Sequence, residues 1–385
     1  STKGTRKHVI ADAVQFLPEN SPATPKSIAK PEKPAPTDNA DKARLAELEK
    51  ELKSLEAKAV KQPRIIAADE GDNPGDIQIA IRGNVHNAGP KTPRRFIQVL
   101  NRGDLPEIAP KASGRMELAN WMASAEHPLT ARVFSNRVWH HLFGKGLVTS
   151  VDNFGHMGQL PTNQTLLDHL ANRFTEQDWS VKKLIREIVL SRTYQLSSNS
   201  GEQTQVDLEN KLHWRQNRRR LQAETIRDSI LAVSDQLDTK MGGPTIKKGT
   251  KIEYGYEFEG TRRSVYTPVF RNTPLEILAV FDFADPNLVV GERTTSNVPT
   301  QALYLMNSPF VREQANNAAK VLLAENLTDQ SSRINQAYRR TLGRDATSSE
   351  REILLSFLDN QEDLAKAWSQ IFHGLYASPD FRYLN

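Results

Sequence analysis

The chain contains no cysteine. That excludes disulfides, thiolate catalysis, Cys-bound zinc and iron–sulfur clusters within it, and leaves no thioether attachment point for a c-type haem. No apolar run approaches the ~18–20 residues needed to cross a bilayer, and the N-terminus lacks the apolar core of a signal peptide. Ser1 stands where an initiator Met would, so the sequence is read as a processed or excised piece. An excess of one charge is also missing. Lys+Arg at 51 against Asp+Glu at 46 leaves a net of +5 over 385 residues, too thin for a polycation of the histone kind. At roughly 100–200 residues per domain, this length holds two or three units, or one large unit with appendages.

Residues 6–16, RKHVIADAVQF, alternate as a strand does, and a lone strand needs a sheet to pair with. Residues 1–17 are therefore expected to be the terminal strand of an upstream β domain. Residues 18–76 are expected to form a linker. Its first part carries Pro18, Pro22, Pro25, Pro31, Pro34 and Pro36 and has almost nothing apolar to bury. Within it, residues 38–61 predict a helix with Leu45, Leu48, Leu52 and Leu55 at three- and four-residue steps, ended by Pro63. The stripe is about two heptads, which favours a helix packed on its own protein or half-exposed over a dimerisation zipper.

Residues 77–385 read as one large, mainly α domain with a minor β element. Ile77, Ile79 and Ile81 alternate in a short strand that is expected to pair with a second strand-like segment, residues 263–269. Apolar faces at helical spacing run through Leu166, Leu167, Leu170 and Phe174, through Leu184, Ile185, Ile188 and Val189, and through Ile226, Ile230, Val233 and Leu237. Thr347 and Glu350 have capping-box spacing ahead of Ile353, Leu354, Phe357 and Leu358, and Leu364, Trp368, Ile371, Phe372 and Leu375 mark a last helix. Met241, Gly242, Gly243 and Pro244 signal a turn into a surface excursion over residues 247–260.

Chemistry concentrates in residues 129–155. On a helix, Asn136 and His140 share one face and Arg137 and His141 the next, while adjacent His140 and His141 diverge by about 100° and do not readily share one metal ion. Hydrogen-bonded histidines are preferred to a metal site built on His140, His156 or His169, and no metal is expected. Trp139 and Phe143, four apart, favour a core role over a ligand platform. Gly144-Lys145-Gly146 is too short for a phosphate cradle. Ser180 and Lys183 match Ser-x-x-Lys, yet their flanks suggest a helix start. Asp282 and Asp285 form an acidic pair whose separation the sequence does not fix.

Arg218, Arg219 and Arg220, with Arg215 and Arg227 nearby, make the strongest positive run. One reading is an arginine–carboxylate framework involving Glu224 or Asp228; the other is a binder of phosphate, uronate or sulfate groups. A nucleic-acid groove ranks below both, because aromatics are not interleaved with these arginines.

Several motifs in order carry a family resemblance: residues 82–84, 93–96, 113–121, 136–148 (NRVWHHLFGKGLV), 167–168, 217–228 (NRRRLQAETIRD), 262–269, 281–286 (FDFADP), 298–309 (VPTQALYLMNSP) and 378–383. Together they resemble the C-terminal domain of unknown function of large planctomycete cytochrome-C-domain proteins. Residues 8–16 are similar to the closing strand of golvesin-like carbohydrate-binding sandwiches. The resemblance departs at Asn153-Phe154-Gly155, where an Asp is usual at the first position, and at Asn163-Gln164, where His-Pro is usual.

What the resemblance implies is an exported, extracytoplasmic multidomain protein. Its c-type haem would lie in a part N-terminal to this chain, with no cofactor here. With no catalytic signature in hand, the leading expectation is a non-catalytic scaffold or binding module, with anionic polysaccharide and other exported proteins as partners. Arg218, Arg219, Arg220, Trp139 and Asn136 are its binding candidates. The alternative is an enzyme acting on sulfated or uronic polysaccharide through Arg137, His140 and Asp152; nucleic-acid binding is the weakest reading.

Overall fold

The computed structural model describes residues 39–58, 67–101, 106–251, 256, 258 and 260–384. The strand expected at residues 6–16 and the proline-rich stretch after it lie outside the described residues. The described chain is mainly α, with twelve α-helices and two small two-stranded sheets. It divides into two units, Ser1–Val99 with Gly103–Trp121, and Leu100–Arg102 with Met122–Asn385.

In the first unit, α1 (Asn39–Lys58) forms where the leucine stripe predicts it, and Leu45, Leu48, Leu52 and Leu55 are all exposed. Strand β1 (Ile77–Ala80) pairs antiparallel with β2 (Ala88–Thr92), Ile77 opposite Thr92 and Ala80 opposite Ala88. This corrects the expected partnership with residues 263–269. A hairpin closed over a few residues orders far less chain than a pairing almost two hundred residues away. The turn is held by Ile81 N donating to Asn87 O at 3.0 Å, with Arg82 in the left-handed region at φ 54°. The other segment turns rather than extending. Ser264 N donates to the Asp228 carboxylate, Arg262 O accepts from Arg227, and Ser264–Tyr266 turns as a 3-10 helix. Helix α2 (Arg115–Met122) closes this part, with Phe96 stacked on Trp121.

The second unit has two apolar cores. Helices α3 (Thr130–Phe143), α4 (Gln164–Glu176) and α5 (Val181–Val189) enclose Val138, Phe143, Leu147, Leu167, Leu170, Phe174, Leu184 and Ile188. These carry the faces read from the sequence, except that Ile185, expected beside Leu184 and Ile188, is exposed. Ser180 caps α5 by accepting from Lys183 N, so the Ser-x-x-Lys match is a helix start.

The larger core is built by α6 (Ala223–Val233), α7 (Glu276–Val280), α8 (Pro299–Asn307), α9 (Pro309–Ala324), α10 (Gln330–Leu342), α11 (Ser348–Asp359) and α12 (Leu364–Ala377) around Trp368, Phe372 and Tyr376. Helix α6 buries Ile226, Ile230 and Val233 but stops there, short of Leu237. The capping box at α11 is complete, with both the Thr347 side chain and the Glu350 side chain engaged. Its face is narrower than expected: Leu358 is buried, whereas Ile353 is exposed.

A last element was not legible beforehand. Strand β3 (Arg219–Arg220) pairs antiparallel with β4 (Tyr383–Leu384). Leu221 N donates to Arg382 O at 2.8 Å, extending the tie. The arginine run is thus fastened to the chain's last described residues.

Candidate anion-binding cavity

Helix α3 ends at Gly144, whose φ of 78° and bond to His140 O at 2.7 Å make a left-handed cap. A Cβ here would also lie 2.8 Å from Arg219 Cδ, so glycine is required twice over. The free carbonyls of the α3 C-terminus draw donors and positive charge. Asn217 Nδ2 donates to Phe143 O at 3.0 Å, and the Arg219 guanidinium donates to His141 O. This leaves His140 and His141, with ring centroids 5.5 Å apart, beside the arginine run.

Each arginine of the run has its own role. Arg218 lies over the Tyr383 ring with its guanidinium carbon 5.7 Å from the centroid. The Arg220 side chain is only 7 % exposed and pairs with Asp282 at 3.0 Å. It also donates to Ser296 O and lies over Phe281, yet its Nη2 has no hydrogen-bond partner. Asp282 is clamped in turn by Ser296, whose N and Oγ donate at 2.9 and 2.7 Å. Burial alone pushes the Asp282 carboxyl up, but Ser296 and Arg220 outweigh it and the net direction is down. An acid so held is an anion and an acceptor, which does not suit it to donate a proton. Asp285, the other half of the expected pair, is occupied in a turn with Asn287.

From the opposite side comes the segment between α7 and α8. Arg293 grips Glu224 through two bonds of 2.6 and 2.8 Å, so Glu224 is ionised despite the burial that pushes its carboxyl up. Gly291 N donates to Asp152 at 2.8 Å, and a Cβ at Gly291 would collide with that carboxylate.

These parts enclose a cavity of about 610 Å³. Lys145, Arg218, Arg219, Arg220 and Arg293 line it, with His140 and His141, against two carboxylates, Asp282 and Glu292. Leu221, Phe281, Tyr383 and Leu384 supply apolar wall. The volume falls within the range of pockets that bury a ligand of several rings. His141 is pushed below the usual imidazole range first by desolvation, then by His140, Arg293, Arg137 and Arg219.

The residues singled out from sequence separate into three places. Arg218, Arg219, Arg220 and His140 line the cavity. Arg137 and Asp152 pair with each other at 3.5 Å, both half-exposed, and neither lines it; the Asp152 oxygens are taken by Arg137 and Gly291 N. Asn136 and Trp139 lie in the interior. Asn136 is fully buried, donating to Val148 O at 3.0 Å and accepting from Val148 N at 2.9 Å, which folds the loop after α3 back onto the helix. Trp139 stacks on Phe143 with centroids 4.1 Å apart. Arg227, from the extended positive run, is 6 % exposed and donates to Gly260 O, Arg262 O and Ser264 Oγ, so the run is not a surface stripe.

Sequence reasoning did not single out Arg293 or Tyr383 as site residues, and met Lys145 only within Gly144-Lys145-Gly146, too short for a phosphate cradle. The available signal was order rather than type, because the motif segments 136–148, 217–228, 281–286 and 378–383 all contribute lining residues. Among the described residues, no group of three or more His, Asp and Glu is placed to hold a metal ion, and no helix is long and apolar enough to cross a membrane.

A family model described as PSD1, protein of unknown function (DUF1553), matches residues 114–358, well over half of the chain. The chain belongs to the PSD1 family. The matched span contains α3 to α10 and every lining residue of the cavity except Tyr383 and Leu384. No curated protein and no solved structure matches the chain.

Proposed function

We propose that this PSD1 domain is a binding module whose cavity receives the carboxylate or sulfate groups of an acidic polysaccharide. The observation that carries the reading is the lining itself: four arginines and a lysine face two carboxylates around one partly open volume. Arginine forks suit planar or tetrahedral oxyanions, and the apolar wall of Phe281, Tyr383 and Leu384 suits the carbon faces of sugar rings. A non-catalytic role in an exported protein, with its haem-bearing part elsewhere, belongs to the same reading and rests on the family resemblance set out from the sequence.

Native electrophoresis through gels containing polygalacturonate, a sulfated galactan or a neutral glucan tests it. The wild-type chain should be retarded by the two acidic polymers and not by the neutral one. Arg218→Glu, at an exposed position, should abolish the retardation, with the melting temperature read alongside to check the fold. Equal migration in all three gels at low salt would refute binding. Release of new reducing ends would replace the module with an enzyme.

A further inference from the structure

Two imidazoles side by side among guanidinium groups pose an electrostatic problem that an incoming anion relieves. His141 is faced by His140 and Arg137 from its own helix, by Arg219 from β3 and by Arg293 from the segment between α7 and α8; Lys145, Asp282 and Glu292 line the same cavity. The arginines are fixed cations, since no accessible pH neutralises them. Each is also positioned by a protein acceptor or ring, Arg219 by His141 O, Arg293 by Glu224 and Arg220 by Asp282. Near neutral pH, charge in the cavity therefore adjusts at the histidines, since imidazole is the side chain that ordinarily titrates there. The carboxylates Asp282 and Glu224 are already committed to Arg220 and Arg293.

We propose that anion capture in this cavity is proton-linked, with His141 taking a proton from solvent onto its free ring nitrogen as the anion enters. The inference rests on the reading that the cavity holds an anion. Desolvation first, and the field of the neighbouring cations after it, push this imidazole below its usual range. An oxyanion placed among Arg218, Arg219 and Arg293 cancels that field and supplies an acceptor for a second ring donor. The imidazolium then adds a charge-assisted bond to the bound group. By linkage, whatever raises the proton affinity of His141 must itself bind more tightly as pH falls. The cavity thus acts as a receptor for acidic groups that is strengthened by mild acidity.

Calorimetry with the whole chain and inorganic sulfate, whose charge is constant across the range, reads this directly. A sulfated disaccharide serves as the second probe. Between pH 7.5 and 5.5 the affinity should rise at least about threefold and by no more than the tenfold per unit that one linked proton permits. At pH 6.5 the enthalpy should change with the ionisation enthalpy of the buffer, reporting proton uptake. His141→Gln should bind with neither dependence. Binding that is independent of pH and buffer in the wild type, or dependence that survives in His141→Gln, overturns the proton link and leaves the binding reading standing. Failure of the wild type to bind either probe at any pH overturns both.

Discussion

His213 is held at φ 53° with its ring 5.2 Å from both Trp139, edge-on, and Phe143. Burial pushes this imidazole below its usual range, against an opposing pull from Asp207. The unfolded chain therefore takes up a proton near pH 6.5 that the native state refuses, so stability is full above that pH and is lost as pH falls through it. The melting temperature should drop between pH 7.5 and 5.5. His213→Asn, which tolerates the left-handed backbone, should flatten that drop. Asn136→Ala leaves both Val148 groups buried and unpaired, and chemical denaturation should show a loss of about 2–4 kcal/mol. Tyr376 offers the opposite case, a fully buried hydroxyl with no partner, whose ionisation burial pushes far up. Tyr376→Phe should change stability by less than about 1 kcal/mol, and in the stabilising direction if at all.

Helices were largely legible because their signal is local. The period of Leu167, Leu170 and Phe174, or of Ile226, Ile230 and Val233, is set by neighbours within two turns, and the structure buries those residues. Thr347 is a sequence-visible device of the same range. Thr347→Ala should cost about 1 kcal/mol in thermal or chemical unfolding, whereas Glu350→Gln keeps the reciprocal acceptor of the box and should lose only the charge pairing with Arg344. The Glu350 carboxyl is held at about 2, chiefly by Arg344, so its contribution is present above the usual carboxylate range and is lost as pH falls through that value. Strands were less legible. Residues 263–269 have β-branched, aromatic and alternating character, but Ser264–Tyr266 turns as a 3-10 helix with Ser264 N held by Asp228, and no property of the segment itself records that distant partner. The pairing of Arg219 and Arg220 with Leu384 and Tyr383 is likewise a matter of distant partners, invisible to any window on the sequence.

At the scale of the molecule, the cavity exists because four distant stretches of chain meet: the end of α3, the arginine run, the segment before α8 and the closing strand. Residue type alone marked Arg218, Arg219, Arg220 and His140. It also drew Asn136 and Trp139 into the same group, since a helix face read from sequence does not say which side meets solvent. The framework and ligand readings of the arginines turn out to be compatible: Arg220 and Arg293 are each paired with a carboxylate and still line an open volume. Everything proposed for the cavity depends on this volume receiving an oxyanion. Crystals of the chain soaked in selenate test it most directly. An anomalous peak is expected within hydrogen-bond distance of Arg218, Arg219 or Arg293, lost in Arg218→Glu. Selenate bound only elsewhere on the surface, with the cavity filled by water alone, would contradict it.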